Sequence, residues 1–581
     1  MKKHALIFVM ALVAVAIAVP ALADVQFQYG GQFRARFTAD NNVYDGTDKA
    51  GFYGTNYNSD DNARWIDQRT RLYFSFVASQ NLKLVTKFEL GTTAWGMSSN
   101  TSSSVGNTGA NGGGNVGADA VSVEVKNAYL QFNIPNTPTT AIIGVQGAVL
   151  LDSWIVDDDI PAAIFVTKLD PFKVTIGYVG GQYGWERKMD PNYELPLTNS
   201  SYNVDDVLLA VDYADGPFKA SLVGFFQDAH DSDVSINPTT LSTPVRNYTG
   251  ISGTTNATAF PFFTPITVGK TTVYPSPRNN YLFDLGFNFT YKVDWLMAYI
   301  DFVKNLGSTD LYNSINGTVG PLPNTAGVHK IGSIDYTGWM VDSGVTYFCG
   351  PWTANLGGFY TSGPDISSNP EANIAGGAGH TGPFQGINSS KVNWFTYPLA
   401  TNKYFSEIIG GGVLGDDVPN SGWVNRGYKL NQVASNIGIT SDTTYWRGQG
   451  WPTNLWTVTT GGSYQLAEQT KISGSYWYFG TPSSVPVSFS GPVSTTANYK
   501  MSSSIGHELD LYIDQGIVDG LTLTLVGAYL IADDAFCPLP VPYGTASQAL
   551  SQLNSMRANP MYYSSQADNA YEVGARLQWN F

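Results

Sequence analysis

Charge is scarce in this sequence. Asp, Glu, Lys and Arg make up 13% of 581 residues, about half the ~25% usual in soluble domains. Cysteine is scarcer, with Cys349 and Cys537 alone, which excludes a disulfide-stapled scaffold and a Cys-rich zinc site. Of five histidines, His4 falls in the first 23 residues and His230, His329 and His380 are scattered, so transition-metal binding has no support. There is no CxxCH for covalent haem and no G-x-S-x-G elbow; no cofactor and no catalytic residue are expected. Basic clusters are also missing. The formal charge of −15 becomes −17 without Lys2 and Lys3, which argues against nucleic acid as a partner. Beyond residue 23, no run approaches the ~20 apolar residues of a membrane helix.

What is present points elsewhere. Aromatics reach 13% of the chain and glycine counts 61, a mixture suited to strands and large polar loops. The 34 Tyr, 30 Phe and 14 Trp argue against disorder of the whole chain. Residues 1–23 read as a signal peptide: Lys2 and Lys3, an apolar run from Leu6 to Val19, and Ala21-Leu22-Ala23 as the cleavage site. Export with cleavage after Ala23 is expected, leaving residues 24–581 as one domain.

The last residues, YEVGARLQWNF, form a comb in which Tyr571, Val573, Ala575, Leu577, Trp579 and Phe581 alternate with polar or small residues. A period of two marks a strand with unlike faces. The stretch VQFQYGGQFRARF (25–37) has the same form, and 18 such segments recur from 24–38 to 569–581, with 161–169 the weakest. Short connections such as 79–81, 170–171, 215–217, 292–294, 349–351 and 467–469 alternate with long polar ones such as 96–119, 230–279, 306–335, 364–453 and 534–568. Long loops of that kind are uncommon in compact soluble domains, whereas tight periplasmic turns and large extracellular loops are the rule in outer-membrane barrels. The fold expected is all-β, a closed transmembrane antiparallel barrel of 18 strands, with 16 as the alternative. The first and last strands must pair, because an open edge in lipid leaves backbone groups without partners.

The segments RTRLYFSFVASQNLKLVTKFELG (69–91), GWMVDSGVTYFCGPWTANLGGFYTSG (338–363), GHELDLYIDQGIVDGLTLTLVGAYLIADD (506–534) and a terminal phenylalanine together resemble bacterial outer-membrane porins. The likeness spans the mature chain and is one of pattern. It implies residence in the bacterial outer membrane, contact with membrane lipid and lipopolysaccharide, passive diffusion of small hydrophilic solutes and ions, and a homotrimer. It also implies that Phe581 resembles the signal read by barrel-assembly machinery.

If the apolar comb faces lipid, the other parity faces the lumen. The basic lining expected is Arg34, Arg36, Arg69, Arg71, Lys83, Lys87 and Arg576, close together once the ends meet. The acidic lining expected is Glu89, Asp284, Asp301, Asp342, Glu508, Asp510 and Asp514. Walls of opposite charge set a transverse field across a narrow pore; the alternative role for the arginines is to pair with carboxylates and brace the barrel. Lys403, Tyr404 and Glu407, within WFTYPLATNKYFSEIIGGGVLGDD (394–417), are candidates for a constriction, since Tyr404, Phe405, Ile408 and Ile409 are too apolar for a solvated loop. A cap over the mouth is the other reading of that segment. LLDSWIVDDD (150–159) is a second constriction candidate.

Rival readings are a solute-selective channel for anions or carbohydrates, a barrel scaffold around a partner such as a cytochrome, and a lipid hydrolase with a Ser/His pair on the lipid-facing side, the parity of His507 beside Glu508. Asp157 to Asp159, Asp60-Asp61, Asp231 with Asp233, and Asp416-Asp417 lack calcium-loop spacing and read as solvated loop acids. Cys349 on a short turn and Cys537 in a long loop lie on opposite sides of the membrane, too far apart for a disulfide.

Overall fold

The computed structural model describes residues 25–43, 62–95, 123–180, 202–231, 266–268, 271–315, 330–363, 391–398, 403–414, 452–490, 498–536 and 568–581. The expected leader at 1–23, Cys537, His329, His380, Asp60-Asp61, Asp233 and Asp416-Asp417 lie outside these residues.

Eighteen strands form the wall. They are β1 (Gln26–Asn41), β2 (Asn62–Ser79), β3 (Leu82–Ala94), β4 (Val123–Asn133), β5 (Thr139–Leu150), β6 (Val156–Leu169), β7 (Phe172–Gly180), β8 (Tyr202–Asp215) and β9 (Phe218–Asp231). The circuit continues through β10 (Thr271–Val293), β11 (Leu296–Ile315), β12 (Trp339–Cys349), β13 (Trp352–Thr361), β14 (Trp456–Ala467), β15 (Thr470–Ser490), β16 (Asn498–Val518), β17 (Leu521–Ala532) and β18 (Ala570–Asn580). Three short strands, Ile266–Val268, Lys330–Tyr336 and Lys391–Val392, add to the same sheet beyond the wall.

Each wall strand pairs antiparallel with the next, and β1 pairs with β18 from Gln32↔Asn580 to Asn41↔Tyr571. That last pairing closes the ring. Gly31 N donates to Phe581 O at 2.8 Å and Phe581 N to Gly31 O at 3.0 Å, so the terminal aromatic residue is part of the seam. Closure removes the unpaired edge that a membrane-spanning sheet cannot tolerate.

The two parities meet different surroundings. Leu511, Leu356, Leu222 and Val573 are 54%, 59%, 52% and 45% exposed, while their neighbours Asp510, Val223 and Glu572 are buried. Exposed aliphatic or aromatic side chains recur on every wall strand from β1 to β18. A soluble surface rarely exposes more than a few hundred Å² of contiguous apolar area; a belt around an entire barrel is a lipid-facing surface. No helix among the described residues is long and apolar enough to cross a membrane, and the crossing is made by strands.

Tight turns at 80–81, 170–171, 216–217, 294–295, 350–351, 468–469 and 519–520 occupy one end of the barrel. One expected boundary moves. Strand β6 begins at Val156, not at residue 161, so Asp157, Asp158 and Asp159 belong to the wall and are not loop acids. Their acidity disguised a strand: Asp157 Oδ2 accepts from Ser153 Oγ at 2.7 Å, and Asp159 Oδ1 accepts from Asn127 Nδ2 at 2.8 Å.

Candidate functional site

The interior is built from two inward-folded segments laid against charged parts of the wall. The first is the turn 151–155 between β5 and β6. Leu151, Asp152 and Ser153 have φ of 50°, 50° and 68°, a left-handed run that costs non-glycine residues roughly 1–2 kcal/mol each. Burial offsets this. Trp154 and Ile155 are fully buried, and Leu151 and Ile155 cover Gly286 on β10 so closely that a Cβ there would sit 3.0 Å from Ile155 Cδ1.

The second comprises 391–398 and 403–414. Asn305 on β11 holds it by a reciprocal pair, Nδ2 to Thr396 O at 2.8 Å and Thr396 N to Oδ1 at 2.8 Å. Gln227 Nε2 on β9 donates to Pro398 O at 2.8 Å. Tyr397 is buried and its hydroxyl donates to Pro452 O; burial, with the Asp284 carboxylate near, pushes its phenol well above the usual range. At the far end Leu414 reaches β18, where a Cβ on Gly574 would lie 2.6 Å from Leu414 Cδ1. The segment therefore spans from the β9–β12 side of the interior to the seam. Trp154, Phe359, Phe395, Phe405, Trp477 and Phe479 form a chain of ring contacts beneath it, with centroid separations of 5.0 to 6.3 Å.

Carboxylates anchor this chain. Glu508 on β16 accepts from Ile408 N at 2.6 Å, Ile409 N at 3.1 Å and Ser406 Oγ at 3.1 Å. Glu407 turns back on its own loop, accepting from Leu414 N at 2.6 Å and Val413 N at 2.8 Å, and takes the Tyr512 hydroxyl at 3.2 Å. Backbone N–H groups in a tight turn are a ready anion cradle, so each of these carboxylates satisfies buried donors that have no strand to pair with. Lys403 joins the two inward segments: Nζ lies 2.6 Å from Asp152 Oδ2 and 3.4 Å from Asp342 Oδ2, and 4.9 Å from the centre of a Trp154 ring.

The basic residues expected from the sequence come together around the seam. Register places Arg34 opposite Arg69, Arg36 opposite both Asp67 and Arg576, and Gln32 opposite Arg71. Like charges directly across a ladder destabilise it, and carboxylates intervene. Arg36 Nε meets Asp67 Oδ1 at 3.0 Å with both side chains fully buried, and Arg71 Nε meets Glu89 Oε2 at 2.6 Å. Arg69 Nη2 donates to Gln32 Oε1 at 3.2 Å, and Lys87 Nζ lies 5.5 Å from the Tyr73 ring centre. Lys83 and Arg576 are half-buried on the same parity.

The acidic residues separate into two groups. Asp284, Asp301 and Asp342 sit on β10, β11 and β12, half the circuit away from β1–β3, and are buried behind the inward segments. Asp284 Oδ1 accepts from Asn305 Nδ2 at 2.6 Å, and Asp342 Oδ2 accepts from Trp154 Nε1 at 3.0 Å. Glu508, Asp510 and Asp514 sit on β16, two strands from β18. Asp510 accepts from Ser475 Oγ, and Asp514 is half-buried between Thr524 and Lys471. Tyr404 lies beside Lys403 in the inward segment, half-buried. Asp67, Gln227 and Asn305 were not singled out by sequence reasoning, and Asp152 and Trp154 only as part of the 150–159 constriction candidate. The inward parity of Asp67 and Asn305 was legible; their partners across a long loop were not.

His507 and Glu508 face opposite sides of the wall. His507 Nδ1 meets Tyr476 Oη at 2.6 Å and its ring lies 4.6 Å from Tyr478, while Glu508 is fully buried beneath Ile408 and Ile409. One free, exposed cysteine, Cys349, is found at a short turn.

No protein-family model matches the chain, and no curated protein matches it in sequence. Among solved structures, the chain is similar to OccK8 (OprE) of Pseudomonas aeruginosa, with a TM-score of 0.41 and 9% identity over 96% of this chain and 98% of that one. It is similar to a BenF-like porin from Pseudomonas fluorescens Pf-5, with a TM-score of 0.41 and 9% identity over 96% and 98%. Pseudomonas aeruginosa OpdL matches with a TM-score of 0.40 and 10% identity over 95% and 98%.

Proposed function

We propose that this protein is an outer-membrane channel through which small hydrophilic solutes and ions diffuse, narrowed by the segments around Asp152 and Lys403–Leu414. The observation that carries the reading is the division of one closed wall into an apolar outer belt and an inner face rich in Arg, Lys, Asp and Glu. Soluble sandwiches bury the apolar parity; here that parity is the exposed one, and charge is turned inward. At this strand number side chains alone do not fill a barrel. In this protein additional chain enters the lumen, with a buried aromatic core of its own.

That added chain bears on the rival functions. A sheath around a partner protein needs an unobstructed lumen, and Trp154, Phe395 and Phe405 take part of that space. A lipid hydrolase needs a serine at His507 on the lipid face, and the hydrogen-bond partner of His507 there is the Tyr476 hydroxyl. In the channel reading, the inward charges that stay partly open to water, Arg71, Lys83 and Arg576 near the seam and Asp514 on β16, bias the passage of ions. The short turns lie in the periplasm and the long loops outside the cell.

Planar lipid bilayers test the reading. The purified protein should insert to give discrete conductance steps, with current in chloride and potassium salts and partial block by sugars that enter the pore. Insertion without any conductance to small ions would overturn it.

A further inference from the structure

We propose that Asp152, Asp301 and Asp342 form a binding site for a hard divalent cation of the Ca²⁺ type, for which the Lys403 ammonium is a tethered competitor. One carboxylate oxygen from each aspartate lies within 4.8 Å of the others. Oxygen ligands 2.3–2.6 Å from a common Ca²⁺ ion stand at separations up to about that value.

Asp301 supplies the independent reason to expect a ligand. It is 1% exposed, its Oδ1 accepts from Asn288 Nδ2 at 2.5 Å, and its Oδ2 has no hydrogen-bond partner. A buried carboxylate oxygen without a donor is costly. The ladder compounds the cost, because Asp301 on β11 is registered directly opposite Asp342 on β12, and like charges in that position repel.

Lys403 answers part of this charge. Its Nζ contacts Asp152 Oδ2 and Asp342 Oδ2, and also donates to Asp152 O at 3.0 Å. One ammonium offsets less of the charge of three carboxylates than a divalent ion in its place. Trp154 Nε1 and the Tyr299 hydroxyl, donating to Asp342 at 3.0 and 3.1 Å, fix that carboxylate from behind. The Asp152 side chain is 69% exposed, which gives an ion a route from water.

The donor set is all oxygen, which excludes thiolate- and imidazole-seeking metals. Its irregular arrangement, with waters completing the shell, suits Ca²⁺ better than Mg²⁺, which demands near-octahedral ligands. An ion seated here displaces Lys403 Nζ from the oxygens it holds and unties the two inward segments. The effect on conduction rests on the channel reading; the site itself does not.

Terbium luminescence on the full-length protein in detergent tests the site, because Tb³⁺ substitutes for Ca²⁺ and Trp154 stands at the binding atoms as a sensitiser. Tryptophan excitation should give saturable Tb³⁺ emission displaced by CaCl2. Asp301→Asn should weaken binding about tenfold or more, and Lys403→Gln should strengthen it by removing the competitor. Heat-modifiable electrophoretic mobility verifies that each barrel is folded, and Asp152→Asn, on the exposed turn, provides a second weakening variant that leaves the wall intact. Absence of saturable emission would overturn the proposal, as would emission equal in wild type, Asp152→Asn, Asp301→Asn and Lys403→Gln. Such a failure removes the site and leaves the channel reading standing; a barrel that binds Tb³⁺ but passes no current removes the channel reading alone.

Discussion

The basic quadrant at the seam and the acidic wall across from it use charge in opposite ways. On β1, β2 and β3 the answering groups come from the wall itself: Asp67 is registered beside Arg36, and Glu89 beside Arg71. On β12 and β16 two carboxylates are answered from elsewhere in the chain, Asp342 by Lys403 and Trp154 and Glu508 by Ser406, Ile408 and Ile409, while Asp284, Asp301, Asp510 and Asp514 take Asn305, Asn288, Ser475 and Thr524 from neighbouring strands. Guanidinium groups carry several donors in a fixed fork and are matched by single carboxylates on adjacent strands. Carboxylates have only acceptors to offer, and a strand has no spare N–H with which to satisfy them. Glu508 and Asp342 therefore depend on inserted chain, and the basic quadrant does not.

Breaking the basic side should have the largest effect on stability. Asp67→Asn leaves Arg36 buried beside an uncharged partner, a loss of roughly 3–5 kcal/mol for comparable buried pairs. The temperature at which the folded barrel shifts mobility on electrophoresis should fall, and pairing it with Arg36→Met should recover much of the loss. An unchanged transition in the single variant would show that Arg36 is held by other groups and would dissolve the contrast drawn above.

An effect read as transport, in the barrels that fold, sharpens the same contrast. Replacing Arg34, Arg36, Arg69 and Arg71 together by glutamine should move the zero-current potential in a salt gradient toward that of a more cation-selective pore, because the acidic wall then stands alone. Unchanged selectivity would mean that these arginines brace the barrel without meeting the permeating ion.

The wall was legible in the sequence because its rule is local. Alternation at Phe33, Arg34, Ala35 and Arg36 or at Leu509, Asp510 and Leu511 assigns each side chain to a face without knowledge of any other strand. The ring followed from the strand count and the two matching ends. The expectation failed where local chemistry was ambiguous: Asp157 to Asp159 read as a loop and extend β6, because Ser153, Asn127 and Lys126 supply partners that no window of the sequence reveals. The inner site was less legible for the same reason. Lys403 and Asp152 are 251 positions apart, and nothing near either residue announces the other. The apolar character of Phe405, Ile408 and Ile409 did indicate burial. That Glu508 would be their anchor, and Trp154 the base of the aromatic core, depends on which strands the closed wall brings level.

The account's central claim is that the acidic wall holds chain inside a conducting barrel, and Glu508→Ala tests it most directly. The substitution removes the acceptor for Ile408 N, Ile409 N and Ser406 Oγ, each a hydrogen bond of about 0.5–1.5 kcal/mol, while leaving the outer belt untouched. In planar bilayers the variant should show larger and noisier single-channel steps than wild type as residues 406–414 leave their seat. A folded Glu508→Ala barrel with conductance and noise indistinguishable from wild type would contradict the claim.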